Sequence, residues 1–174
     1  MSKFTTLLLI ALLIITNTSS AQFGIEDSDE TGTTNPSDFS WRYYQDIMKR
    51  FPSRVSIICY SAYIMDKTNS DVEDILMFLH SCAEKGSVAA MIYLSSMYEN
   101  GNRITINYER SAYWLKRGTE TKDEAGFSEL AAYHYGMAIL EGQGVKKDTK
   151  LARQYLQRAA DAGIEDAISH LQNN

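Results

Sequence analysis

The chain of 174 residues carries 17 lysines and arginines against 22 acidic residues, a formal net charge of −5. A protein that grips nucleic acid needs basic residues clustered against phosphates, so this balance argues against such a partner. Two cysteines and three histidines complete the inventory of side chains that bind metals or form covalent links.

Residues 1–21 read as a segment outside the fold. Lys3 gives a short positive start, Leu7 to Ile15 is an unbroken apolar run, and Ser19-Ser20-Ala21 offers the small residues a signal peptidase reads. The run is shorter than the roughly 20 residues a membrane span needs. No cysteine follows the cleavage site, so the expectation is a non-lipidated protein released into the periplasm with Gln22 first. Residues 22–40, with five acids and no base among Gly, Pro, Ser and Thr, form an acidic lead-in too polar to order itself. The two cysteines, Cys59 and Cys82, meet an oxidising compartment after export, where a pair is joined rather than free.

From residue 41 the pattern becomes helical. Residues 41–51, "WRYYQDIMKRF", read as a leading cap helix, and residues 53–66 as a helix with Ile57, Ile58, Ala62 and Met65 inward. Residues 71–86 read as its partner, through Ile75, Phe78 and Cys82-Ala83 to Gly86.

Beyond residue 86 the chain repeats itself. An offset of 41 pairs Ala90 with Ala131, Ser95 with Gly136, Gly101 with Gly142, Ser111 with Ala152, and Trp114 with Tyr155. Small residues face small residues, and aromatic faces aromatic. Phe78 precedes Trp114 by 36, and the extra five residues fall in "KDEAG", 122–126. Each unit reads as two helices around a glycine-containing bend, giving repeats at about 53–86, 87–126 and 127–163, with a closing helix at 164–172.

Residues 131–163 run Ala-x-x-x-Tyr-Gly-x-x-Ile-x-x-Gly-x-Gly-Val-x-x-Asp, then Ala-x-x-Tyr-x-x-x-Ala-Ala-x-x-Gly. This pattern resembles the Sel-one-like repeat, a relative of the tetratricopeptide repeat. Residues 90–122 match less fully, with Ser95 and Arg103 where the pattern has glycine, Gly118-Thr119 for Ala-Ala, and Lys122 for the last glycine. Residues 54–86 match only in their second helix. The resemblance implies an all-α, right-handed solenoid of about three hairpins between capping helices. It also puts Cys59 at the small-residue position of the first helix and Cys82 at the first alanine of the second. Those positions face each other where the hairpin is tightest, and related exported members staple hairpins with cysteines.

Gly142-Gln143-Gly144-Val145-Lys146 invites a phosphate-loop reading. A dinucleotide fingerprint needs a preceding strand and a third glycine, and a Walker loop needs Gly-Lys-Ser/Thr after four residues. Neither is present, so the segment is a bend and no cofactor is expected. Arg103 at the place of Gly144 implies a middle bend that is built differently or strained. His80, His134 and His170 fall in different units without an i, i+4 partner, so they read as surface residues rather than metal ligands. No nucleophile–base grouping is legible either.

The remaining candidates are binding surfaces. On the first helix of the last unit, Tyr133, Met137 and Leu140 form a second apolar stripe, together with Leu130, opposite Ala131, Tyr135 and Ile139. Ile92, Ser96 and Glu99 occupy the same places one unit earlier. In tetratricopeptide-like solenoids that side lines the concave groove holding a partner segment. Packing on the closing helix is the competing role, favoured for Leu130. Trp41 and Tyr44 are secondary candidates by hot-spot composition, although covering the first hairpin suits them better. The resemblance therefore implies a non-enzymatic adaptor or assembly factor of a bacterial envelope machine. An immunity protein against a secreted toxin is the alternative, and a cell-wall enzyme a weaker one.

Overall fold

Asp71, Ser87, Asn107 and Asp148 each stand one residue ahead of a helix and accept a backbone N–H from its first turn. The donors are Glu73 N (2.7 Å), Ala90 N (3.3 Å), Arg110 N (2.9 Å) and Leu151 N (2.9 Å). Each such cap satisfies an otherwise orphaned donor, worth about 1 kcal/mol. The computed structural model describes residues 41–54, 58–59, 71–123 and 125–173, with Trp41, Arg42 and Ser53 described in backbone only. The expected signal segment, the acidic lead-in and most of the helix expected at 53–66 lie outside these residues.

The described residues form seven α-helices and no strand: α1 (Trp41–Arg50), α2 (Val72–Glu84), α3 (Val88–Asn100), α4 (Tyr108–Glu120), α5 (Phe127–Glu141), α6 (Thr149–Asp161) and α7 (Glu165–Asn173). A 3₁₀ turn at Pro52–Arg54 follows α1. Helices consecutive in sequence from α2 to α7 pack pairwise, and α3 also touches α5, which stacks one hairpin on the next as in a solenoid.

The two hairpin bends are built the same way. In one, Gly101 N and Asn102 N both donate to Met97 O, and Asn107 N donates to Tyr98 O. In the other, Gly142 N and Gln143 N donate to Ala138 O, and Asp148 N donates to Ile139 O. Every partner is 41 residues from its counterpart. Gly101 and Gly142 close their helices with φ of 66° and 76°, the left-handed conformation that suits glycine. Arg103 settles the question its position raised. Its φ is 61°, against 67° for Gly144, so the middle bend keeps the same backbone and an arginine bears the strain.

Gly144 has a further reason to be glycine. A Cβ there would collide with the carbonyl of Tyr108 and stand 2.6 Å from the backbone nitrogen of Glu109. The last bend is thus pressed onto the start of α4, in the preceding unit.

Inside the hairpins, small residues let helices close up. A Cβ on Gly136 would meet Leu156 at 3.0 Å and the carbonyl of Ala152 at 3.2 Å. In the middle unit Ser95 and Ser111 take the places of Gly136 and Ala152, and their buried hydroxyls bond to each other at 2.8 Å. In the first unit Cys59 and Cys82 are joined as a disulfide with Cα atoms 5.7 Å apart. Both cysteines sit in the largest core cluster, with Phe78, Leu94, Met97 and Trp114.

The connection from α4 to α5 departs from the other unit junctions. After α2 and α6, Gly86 and Gly163 reverse the chain at φ of 90° and 87°. After α4 the positive-φ glycine comes only at Gly126 (φ 82°), directly before α5, and across the loop Asp123 accepts from Phe127 N and Ala125 N while Ser128 Oγ donates to Thr121 O. These side-chain bonds brace a loop longer than those after α2 and α6.

Candidate functional site

The stripe expected to bind a partner divides between its two helices. On α3, Ile92 is half-buried while Ser96 and Glu99 are exposed. Asn100 Nδ2 donates to Ser96 O at 2.9 Å and to Ser96 Oγ at 3.2 Å, which orders the polar centre of this face. On α5, Tyr133, Met137 and Leu140 are all half-buried. Tyr133 and Leu130 pack on a cluster of Ala132, Ala159, Ile164 and Ala167. Leu140 packs against the core around Ile139 and Ala152. It also lines a shallow cleft with Thr149, Arg153, His170 and Leu171.

The α5 stripe therefore has two jobs. Tyr133 and Leu140 help seat the C-terminal hairpin and its closing helix, and Met137 stands between them outside the core clusters. Of the residues expected to bind, Ile92, Ser96, Glu99 and Met137 lie outside the core clusters. The opposite side of each helix keeps its own core, through Ala90, Leu94 and Met97 on α3 and through Ala131, Tyr135 and Ile139 on α5.

The secondary candidate takes a different place. Tyr44 is 4% exposed, and its ring lies 4.5 Å from that of Phe78. With Met48 it belongs to the core over the first hairpin, so its ring offers no surface to a partner. The side chain of Trp41 lies outside the described residues.

Sequence reasoning missed a cluster between α2 and α4. His80 meets Trp114 edge-on at 5.3 Å, the Arg117 guanidinium lies 5.3 Å over the Trp114 ring, and Tyr113 abuts the same ring at 5.0 Å. Arg117 grips Glu84 with both terminal nitrogens, at 2.6 and 2.9 Å. This bidentate bond holds the Glu84 carboxyl below its ordinary range. Sequence could have flagged the pair only through the 36-residue offset, which places α2 and α4 side by side. The cluster ties the first unit to the second.

The histidines also differ from expectation. Burial pushes His134 below the ordinary imidazole range, with Asp166 pulling weakly the other way. Burial and then Arg110 push His80 down, with Glu84 opposing. An imidazole whose folded pKa is depressed costs nothing above its unfolded pKa, near 6.5, and destabilises the fold as pH falls below that value. The melting temperature is therefore expected to fall between pH 7 and pH 5, and His134→Gln to flatten that slope. An unchanged slope in the variant would remove His134 from the account. Among the described residues no group of His, Cys, Asp and Glu could hold a metal ion. No helix among them is long and apolar enough to cross a membrane.

Residues 88–120 and 130–164 match the family model of the Sel1 repeat, the first coinciding with α3–α4 and the second running from α5 to the residue before α7. Solved structures agree with that architecture. A Sel1 repeat protein from Oxalobacter formigenes is 25% identical, with a TM-score of 0.62 over 75% of this chain and 99% of that one. A protective antigen of uropathogenic Escherichia coli strains, displaying an SLR fold, is 21% identical with a TM-score of 0.61; the match covers 75% of this chain and 27% of the antigen. Cysteine-rich protein B of Helicobacter pylori is 18% identical with a TM-score of 0.55, over 80% of this chain and 98% of that one. The last two show a shared fold only. Repeats of this kind generally mediate protein–protein interaction. Helix pairing, matched bends and family model converge on residues 88–120 and 130–164, the two stretches that match the Sel1 repeat.

Proposed function

We propose that this chain is a non-enzymatic module that binds another protein across the face shared by α3 and α5, as an adaptor or assembly factor of a periplasmic envelope machine. The observation that carries this reading is the repeated stripe. Ile92, Ser96 and Glu99 recur in register at Tyr133, Met137 and Leu140, on neighbouring helices that touch. Partly exposed Ile and Met on adjacent helices suit an adaptable protein contact. The apolar run at 7–15 supports export, and the Cys59–Cys82 bridge fits an oxidising compartment.

The test uses the tagged full chain, cross-linked in cells and compared with Ile92→Ser/Met137→Ser. The strongest specific partner is identified by mass spectrometry and then titrated against both proteins. The variant is expected to lose about 2 kcal/mol of binding, roughly 30-fold, as hot-spot truncations do. Its melting temperature is expected to stay within a few degrees, because neither side chain belongs to the fully buried core. A variant that melts early but binds normally per folded molecule would show that this face is structural.

A further inference from the structure

The hairpin bends present a second set of exposed side chains. Five large hydrophobic side chains are exposed among the described residues, and three of them stand at the bend end of the second and third units: Ile106 (50% exposed), Tyr108 (41%) and Leu151 (38%). None is needed for the core, and each opens or precedes a second helix of a repeat. Gly144 brings the two bends together, because its backbone lies against the carbonyl of Tyr108 and the nitrogen of Glu109. Lys147 lies over Gly142 as Ile106 lies over Gly101, so equivalent positions of adjacent bends carry a cation and an aliphatic group.

This edge is also locally basic in an acidic chain. Residues 142–153 hold Lys146, Lys147, Lys150 and Arg153 against one acid, Asp148. All four bases are exposed, and among the described residues none is in an ion pair. Asp148 is occupied in capping α6. Glu109 at the contact and exposed Glu141 just before the last bend offset only part of this charge. Arg110 does not add to it freely, since its guanidinium donates to Tyr98 Oη at 3.1 Å and covers that ring.

Solvated lysines alone would need no explanation. Lysines alternating with an exposed isoleucine, tyrosine and leucine form a surface with both an electrostatic and an apolar component. We propose that the bend edge formed by Ile106, Tyr108, Lys146, Lys147, Lys150 and Leu151 is a docking surface for an acidic protein segment that carries aromatic or aliphatic anchors. Charge complementarity selects the acidic character, and the three exposed side chains select the anchors. A purely acidic polymer would satisfy only the lysines.

The probe is a random copolymer of glutamate and tyrosine, titrated onto the full chain, with polyglutamate and phosphatidylglycerol–phosphatidylethanolamine vesicles in parallel. Saturable binding to the copolymer is expected, weakening as salt rises and at least fivefold tighter than binding to polyglutamate. Lys146→Glu/Lys147→Glu/Lys150→Glu is expected to weaken it at least tenfold, and Ile106→Ser/Tyr108→Ser/Leu151→Ser at least fivefold, both at nearly unchanged melting temperature. Ile92→Ser/Met137→Ser is expected to bind the copolymer like the parent, which separates this surface from the α3–α5 face. The proposal is overturned if the copolymer does not bind, if either triple variant binds it normally, or if the vesicles bind more tightly, which would make the edge a membrane contact.

Discussion

Gly144→Ala is expected to cost more than about 4 kcal/mol and to leave the last hairpin unable to seat, whereas Gly142→Ala costs only about 1–2 kcal/mol. Both glycines have positive φ, 76° at Gly142 and 67° at Gly144, and alanine in that conformation loses roughly 1–2 kcal/mol. Conformation cannot be the whole of the difference, because Arg103 occupies the same region at the equivalent place in the middle bend. The difference is what a methyl group would strike. At Gly142 the nearest atom is the Lys147 Cβ at 3.3 Å, in a surface bend that can yield. At Gly144 it is the backbone at the start of α4, which is fixed by the Asn107 cap and by Asn107 N donating to Tyr98 O. Losses above 4 kcal/mol come from a short list of causes, and backbone strain combined with displaced packing is among them. Parallel thermal melts of the two variants decide the matter. Equal, small losses at both positions would mean that the two units are not clamped together there.

Breaking the Cys59–Cys82 bridge is expected to cost roughly 3 kcal/mol, the chain-entropy value for a loop of this length. The bridge closes 23 residues of sequence. For a domain of this size that corresponds to a drop of about 10 °C in melting temperature. Both cysteines are buried in the core cluster, so reductant should act slowly on the native protein and quickly once it opens. The measurement compares melts of the oxidised chain, the chain reduced under denaturant and refolded, and Cys59→Ala/Cys82→Ala. A drop of less than about 2 °C in the refolded, reduced chain would show that Phe78, Leu79 and Tyr44 hold the first hairpin without the bridge.

The hairpins and bends were legible because repetition in sequence reflects repetition of backbone bonding. The pair Gly101/Gly142, read as an offset of 41, and with it Asn107/Asp148 at the same spacing, prove to be the same donors and caps used twice. Periodicity was enough for that, since each bond links residues fewer than ten apart. The binding face was half legible. An apolar stripe at Tyr133, Met137 and Leu140 can be counted along one helix, but whether a neighbour lies on it depends on the Ile164–Ala167 segment arriving from another unit. The histidines were misread for the same reason. His134 is half-buried by tertiary neighbours and feels Asp166, 32 residues later, while His80 meets Trp114 and Arg110 of the next unit. Tyr44 reads better as cover than as hot spot, and Phe78 lies against its ring.

The Ser95–Ser111 hydroxyl pair limits how far these units are interchangeable. Repeat arrays are commonly treated as beads whose order is arbitrary, with stability the sum of units and junctions. Here the middle bead has a private bond, and the last bead answers it with the bare backbone of Gly136 against Ala152. Exchanging one serine alone would strand a buried hydroxyl, and exchanging both would let the helices draw together. Trp114, one turn further along α4, would then shift relative to His80 and Phe78. The two positions thus act as a couple, and shuffling units in this chain would have to carry both serines together or neither.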